Sequence, residues 1–233
     1  TVKGKDIAQA VAVEASPSVQ DIDASLAQIA RQDVDTEHRV SWENELEAAR
    51  KIQTSATEVV TSMFNEVRMG KALRVENAIP LAGEIYLSVV RNPSALFSLT
   101  RLKTKDNYTY MHSVAFCTLM IALGRQMGID EETVKSLGMA GLLHDVGKMA
   151  IPDSILNNPG GLTDAEFGLV KSHPERGWEM LKDSKDVDDI GRDVCLHHHE
   201  RVDGTGYPEK LSADNLSLFA KMGAVCDVYD AIT

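Results

Sequence analysis

The chain has 233 residues, 43% hydrophobic and 25% charged, the balance of an ordinary globular protein with room for one domain and an appendage. Its net charge of −11 argues against binding a nucleic-acid polymer, whereas a small anionic substrate needs only a local positive site, which bound divalent metals supply. No apolar run approaches the roughly 18 residues that span a bilayer, and Cys117, Cys195 and Cys226 lie far apart in apolar stretches, as buried free thiols of a reducing cytosol do.

Residues 1–40 are polar, Ala/Ser-rich and without a motif, and read as the remnant of an N-terminal accessory module or linker. Residues 41–75 predict one long helix. Ser41 suits its N-cap, Glu43 and Glu45 its first turn, and Gly70 its end. Trp42, Leu46, Ala49, Gln53, Ala56, Val60, Met63 and Val67 alternate in steps of four and three, a heptad seam with one polar intruder. Two readings follow: a connecting helix that dimerises or carries a signal, or a helix packed on its own domain. Further on, Pro80 and Pro93 suit first-turn positions and Asn92 caps the second. Residues 108–124, 131–147, 164–182, 186–199 and 214–230 carry helical periodicity, and no alternating β pattern appears. An all-α domain from 76 to 233 is expected.

Six of the seven histidines lie between 112 and 199. A lone buried histidine is usually just hydrogen-bonded, but several on apolar faces call for a common cause, and a metal cluster is the economical one. His112 shares a stripe with Ala115, Phe116, Leu119 and Leu123. His144 and Asp145 end an apolar helix. Adjacent helical residues diverge by about 100°, so the pair cannot stack but can converge on ions held off the helix surface. Asp145 could then bridge two ions through its two oxygens, and Lys148 shares their face. His173 precedes Pro174, which disfavours helical geometry there, so a ligand at a forced break competes with a plain surface corner. His198 lies on the stripe of Val187, Ile190 and Val194, and Asp203-Gly204-Thr205-Gly206 must turn tightly before Tyr207 and Pro208. Asp227 follows the small residues Ala220, Gly223 and Ala224. As a buried carboxylate it would demand a cation, with Asp230 the alternative.

In that order, His112, His144-Asp145-Val146-Gly147-Lys148, His173-Pro174, His198-His199-Glu200, Asp203-Gly204-Thr205-Gly206-Tyr207-Pro208 and Asp227 resemble the HD-GYP phosphodiesterases, a branch of the HD-domain phosphohydrolase superfamily. The similarity runs from about 105 to 233. It implies an all-α HD-domain helical bundle with a binuclear metal site, preceded by the long N-terminal helix. Metal-ligand roles pass to His112, His144, Asp145, His173, His198, His199 and Asp227. Asp145 would bridge the ions, and Lys148 would contact the phosphate or steady the leaving group. Asp203, Gly204, Gly206, Tyr207 and Pro208 would form the signature loop beside the substrate.

Mixed His/Asp ligation suits iron or manganese, with nickel or zinc as substitutes. The implied reaction is hydrolysis of cyclic di-GMP to linear pGpG, and on to GMP, with cyclic GMP-AMP as the alternative substrate. The competing class is a non-catalytic module that senses the nucleotide or binds partner proteins through the signature loop, against which the intact ligand set argues. The implied setting is the bacterial cytoplasm. Three departures from the family stand out. Tyr108 replaces a Glu that serves members with a third metal, His197 is an extra histidine, and the substrate-contacting Arg-Pro-Tyr-Arg-like segment would lie beyond Thr233.

Overall fold

The computed structural model describes residues 39–101, 108–158 and 160–233. The accessory module read at 1–40 therefore lies almost wholly outside the described residues, and so does the side chain of Tyr108. The Ser41 hydroxyl accepts from the Asn44 amide at 3.3 Å and starts α1 (Trp42–Arg68), and Gly70 ends it with φ of +76°. The helix thus stops short of residue 75, and the last stretch is irregular. Of the two readings of its seam, packing on its own domain is what the structure holds: Ala49, Ile52, Ala56, Val60, Met63 and Phe64 are buried in the core shared with the following helices.

A buried ion pair fixes that docking. Glu45, 2% exposed, accepts from Ser88 Oγ at 2.8 Å and from Arg91 Nε and Nη2 at 2.6 and 2.8 Å, which ties α1 to α2 (Ala78–Arg91). Asn92 then caps α3 (Pro93–Thr100) through the Ser94 amide at 3.1 Å. The apolar α4 (Tyr108–Gln126) lies against α5 (Glu131–Leu143), which Asp130 caps at the Thr133 amide, 2.9 Å.

The helix expected over 131–147 ends at Leu143. His144 and Asp145 turn out of it into a 3-10 helix, Val146–Ala150. Three short helices follow: α6 (Asp153–Leu156), α7 (Asp164–Val170) and α8 (His173–Leu181). The periodic stretch 164–182 is thus two helices, but the break falls at residues 171–172, just before the one expected at His173-Pro174. Pro174 sits in the first turn of the second helix, where its missing N–H costs nothing. Asp188 and Ser217 cap α9 (Asp189–His197) and α10 (Leu218–Ile232), which places both starts a few residues later than the periodicity alone. Among the described residues there is no strand, only an antiparallel bridge from Asp203 to Ser212. No described helix is long and apolar enough to cross a membrane.

Candidate metal centre

Five elements meet at one buried point. α4 brings His112, the end of α5 brings His144 and Asp145, the start of α8 brings His173, the end of α9 brings His198 and His199, and α10 brings Asp227. All seven residues singled out as ligands converge, in two triads: His112, His144 and Asp227, and His173, His198 and His199. Asp145 lies between them. Its Oδ2 is 3.5 Å from His112 Nε2 and 3.4 Å from His144 Nε2. Its Oδ1 is 3.2 Å from His173 Nε2 and 3.8 Å from His198 Nε2.

The imidazoles are oriented from behind. Nδ1 of His144 meets the Gly141 carbonyl at 2.8 Å, that of His173 the Val170 carbonyl at 2.7 Å, and that of His198 the Val194 and Cys195 carbonyls at 3.1 and 3.0 Å. A carbonyl only accepts, so each Nδ1 carries the hydrogen, and in the neutral ring Nε2 is a bare lone pair. Those bare nitrogens crowd together at the centre. His144 Nε2 lies 3.2 Å from His112 Nε2, and His173 Nε2 lies 3.2 Å from His198 Nε2. Phe116 stacks on the His144 ring, with centroids 3.9 Å apart, and holds it in place.

Burial pushes His144 down to about 4, further lowered by the neighbouring His112 despite Asp145. Burial likewise brings His199 to about 4 and His198 well below its ordinary value. Burial alone would raise Asp145, but the Lys148 ammonium at 2.5 Å outweighs it and holds the carboxylate well below its ordinary value, so it is ionised. Divalent cations fit this donor set. Neutral nitrogens face a buried carboxylate whose Oδ1 makes no hydrogen bond, and only a positive charge between them turns mutual repulsion into attraction.

His112 differs from the rest. Burial lowers its pKa, but hydrogen bonds to Asp227 (3.1 Å from Nε2) and Asp230 (2.5 Å from Nδ1), with the charge of Asp145, raise it to about 9. Asp230, weighed as an alternative ligand, therefore stands behind His112 as its orienting carboxylate. Asp227 reaches forward, with its Oδ2 3.3 Å from His199 Nδ1. His197, left unassigned by the sequence, faces Asp193 at 2.8 Å rather than the cluster. Asp193 in turn accepts from Ser217 Oγ, the cap of α10.

The signature loop folds over the second triad. Tyr207 stacks on the His199 ring with centroids 4.8 Å apart. Asp203 binds the Thr205 amide and hydroxyl at 3.0 and 2.6 Å, an Asx-type turn, and Gly204 has φ of +73°. A Cβ on Gly206 would fall 2.5 Å from the Glu200 Cα, so only glycine fits beneath the loop. The Tyr207–Pro208 peptide is cis. The loop's anchor is a residue the sequence reading passed over. Glu200, 2% exposed, accepts from the amides of Glu209, Lys210 and Leu211 at 2.6, 2.8 and 3.1 Å. Its place between the histidine pair and the loop was the available signal.

An HD domain family matches residues 89–233, and a domain of unknown function matches residues 1–78. A Pseudomonas aeruginosa protein named cyclic di-GMP phosphodiesterase PA4108 is 57% identical over 195 residues, 84% of this chain and 47% of that protein. The Xanthomonas campestris cyclic di-GMP phosphodiesterase response regulator RpfG is 45% identical over 111 residues, 47% of this chain and 29% of its own. Among solved structures, Bd1817, a HDG"Y"P protein from Bdellovibrio bacteriovorus, superposes with a TM-score of 0.66 at 23% identity, covering 92% of this chain and 66% of that one. The chain belongs to the HD-domain family. It spans about half the length of the P. aeruginosa relative and less of the X. campestris one.

Proposed function

We propose that this chain is a metal-dependent phosphodiesterase that opens cyclic di-GMP to linear pGpG, with further cleavage to GMP. The observation that carries the reading is Asp145 with one oxygen turned to each of two histidine-rich triads. Such an arrangement would hold a pair of divalent ions, which when bound would supply an activated water and a clamp on the phosphate oxygens. Iron or manganese suits the nitrogen- and oxygen-only donors, with nickel or zinc as substitutes.

The protein's own groups then have separate tasks. His112, His144 and Asp227 would hold one ion, and His173, His198 and His199 the other. The backbone carbonyls behind His144, His173 and His198 keep their bare nitrogens aimed inward. Lys148, on the partly open side of Asp145, offers a cation where charge develops on the departing 3′-oxygen. Tyr207 screens His199 from solvent. Water adds across one P–O bond: the hydroxyl goes to phosphorus and the proton to the leaving 3′-oxygen. Three buried free thiols suit a reducing compartment, and we place the reaction in the bacterial cytosol.

A second substrate has support of its own. A Vibrio cholerae relative named 3′3′-cGAMP-specific phosphodiesterase 2 is 39% identical over 139 residues. Parallel turnover of cyclic di-GMP and cyclic GMP-AMP under anaerobic metal loading tests the reading. Faster cleavage of cyclic di-GMP is expected, faster cleavage of cyclic GMP-AMP would transfer the assignment to it, and cleavage of neither would overturn the enzyme reading.

A further inference from the structure

A cavity of about 710 Å³ opens directly off the metal centre. His199, Asp227 and the Tyr207 ring form the shared wall. The far wall is α10, where Val225, Val228 and Tyr229 are exposed toward the opening, Val225 by 62%. An outward apolar stripe beside a polar catalytic cluster costs solubility unless something covers it.

One charge stands out on this wall. Lys221 lines the cavity, and among the described residues its ammonium has no ion-pair or hydrogen-bond partner. The nearby Arg201, by contrast, lies 3.5 Å from Asp203. In a chain of net charge −11, an unpaired cation beside a phosphate-cleaving centre is a local well for an anion.

A cyclic dinucleotide asks for what this wall offers. Its two phosphates belong to one covalent ring, so while one is cut the other is held nearby with its full negative charge. Its purines present flat faces that seek apolar or aromatic partners. We propose that the cavity is the subsite for the half of the substrate that is not being cut: Lys221 takes the second phosphate, and Tyr229 with Val225 and Val228 holds one purine. This rests on the phosphodiesterase reading of the metal centre.

The test compares cyclic di-GMP with bis(p-nitrophenyl) phosphate, a diester with a single phosphate and no purine, on wild type, Lys221→Gln and Lys221→Arg. For Lys221→Gln, KM for cyclic di-GMP should rise about tenfold, the scale of one charge-assisted phosphate contact. Turnover of the small diester and the bound metal should stay at wild-type levels, and Lys221→Arg should restore the lower KM. Unchanged KM in Lys221→Gln, or equal loss on both substrates together with lost metal, overturns the subsite. Wild type that cleaves only the small diester overturns the cyclic-dinucleotide reading and the subsite with it. If wild type cleaves neither, the phosphodiesterase reading fails by itself, and equilibrium dialysis of cyclic di-GMP against wild type and Lys221→Gln decides the subsite: equal binding, or none to either, rejects it.

Discussion

Asp230 Oδ2 lies 2.5 Å from Nδ1 of His112, on the ring edge opposite Asp227, whose Oδ1 is 3.1 Å from Nε2. One carboxylate faces the centre and the other, one helical turn on, faces the back of the same imidazole. Removing the rear charge while keeping the shape should weaken the ring as a ligand. Asp230→Asn is expected to lower metal affinity about 10- to 100-fold with helix content unchanged. Wild-type affinity in a chelator titration would show that the pair has no such role.

The same two carboxylates make a proton count. Metal-free His112, raised to about 9, is protonated at pH 7.5, whereas His144 and His199, near 4, are already neutral. Binding a cation at Nε2 must expel the His112 proton. Calorimetric metal titrations in buffers of different ionisation enthalpy should therefore show about one more proton released at pH 7.5 than at pH 10. An equal count at both pH values would contradict the ligand role of His112.

Glu200 gathers three backbone amides of the signature loop on one buried carboxylate. Charge-assisted bonds of this kind are worth more than neutral ones, so Glu200→Gln should free the loop without unfolding the bundle. Hydrogen exchange at residues 209–211 is expected to quicken about tenfold or more while α4 and α5 keep their protection. Exchange confined to wild-type rates would remove Glu200 as the anchor.

The Glu45–Arg91 pair is far from the chemistry and tests the fold alone. Glu45→Ala leaves Ser88 buried without its acceptor and Arg91 half-stranded. Because Arg91 still reaches solvent, the cost should fall below that of a fully buried broken pair, about 2–3 kcal/mol in urea unfolding. Metal content of the folded variant should match wild type, and a loss below about 0.5 kcal/mol would mean that α1 docks without the pair.

Much of this architecture is written in local chemistry. Ser41, Asn92 and Gly70 mark helix ends by the side chains and backbone freedom a terminus needs, and all three do so here. Part of the convergence was readable because His112, His144 and His198 interrupt apolar stripes, where a polar group needs a reason, while His173 was marked only by its proline, Asp227 by the small residues before it, and His199 by the family resemblance alone. What escaped the sequence was set by tertiary packing. The helix read through 147 stops at Leu143, because His144 and Asp145 must turn away from the axis to meet the other triad. Glu200 looks like an ordinary acidic residue until the chain is folded around the amides it serves, and Asp230, read only as an alternative ligand, shows its place behind His112 once the helices pack. The seam of α1 could not choose between a second chain and its own domain by periodicity, since both present the same apolar surface.

The measurement that bears most directly on the account is metal content of wild type and Asp145→Ala, purified and loaded anaerobically, with cyclic di-GMP hydrolysis followed on the same samples. If Asp145 joins two cation sites, wild type should hold about two equivalents of iron or manganese, and Asp145→Ala should retain at most about one and lose turnover by three orders of magnitude or more. An Asp145→Ala protein that keeps both equivalents and still turns over would contradict the bridging role on which the proposed reaction rests.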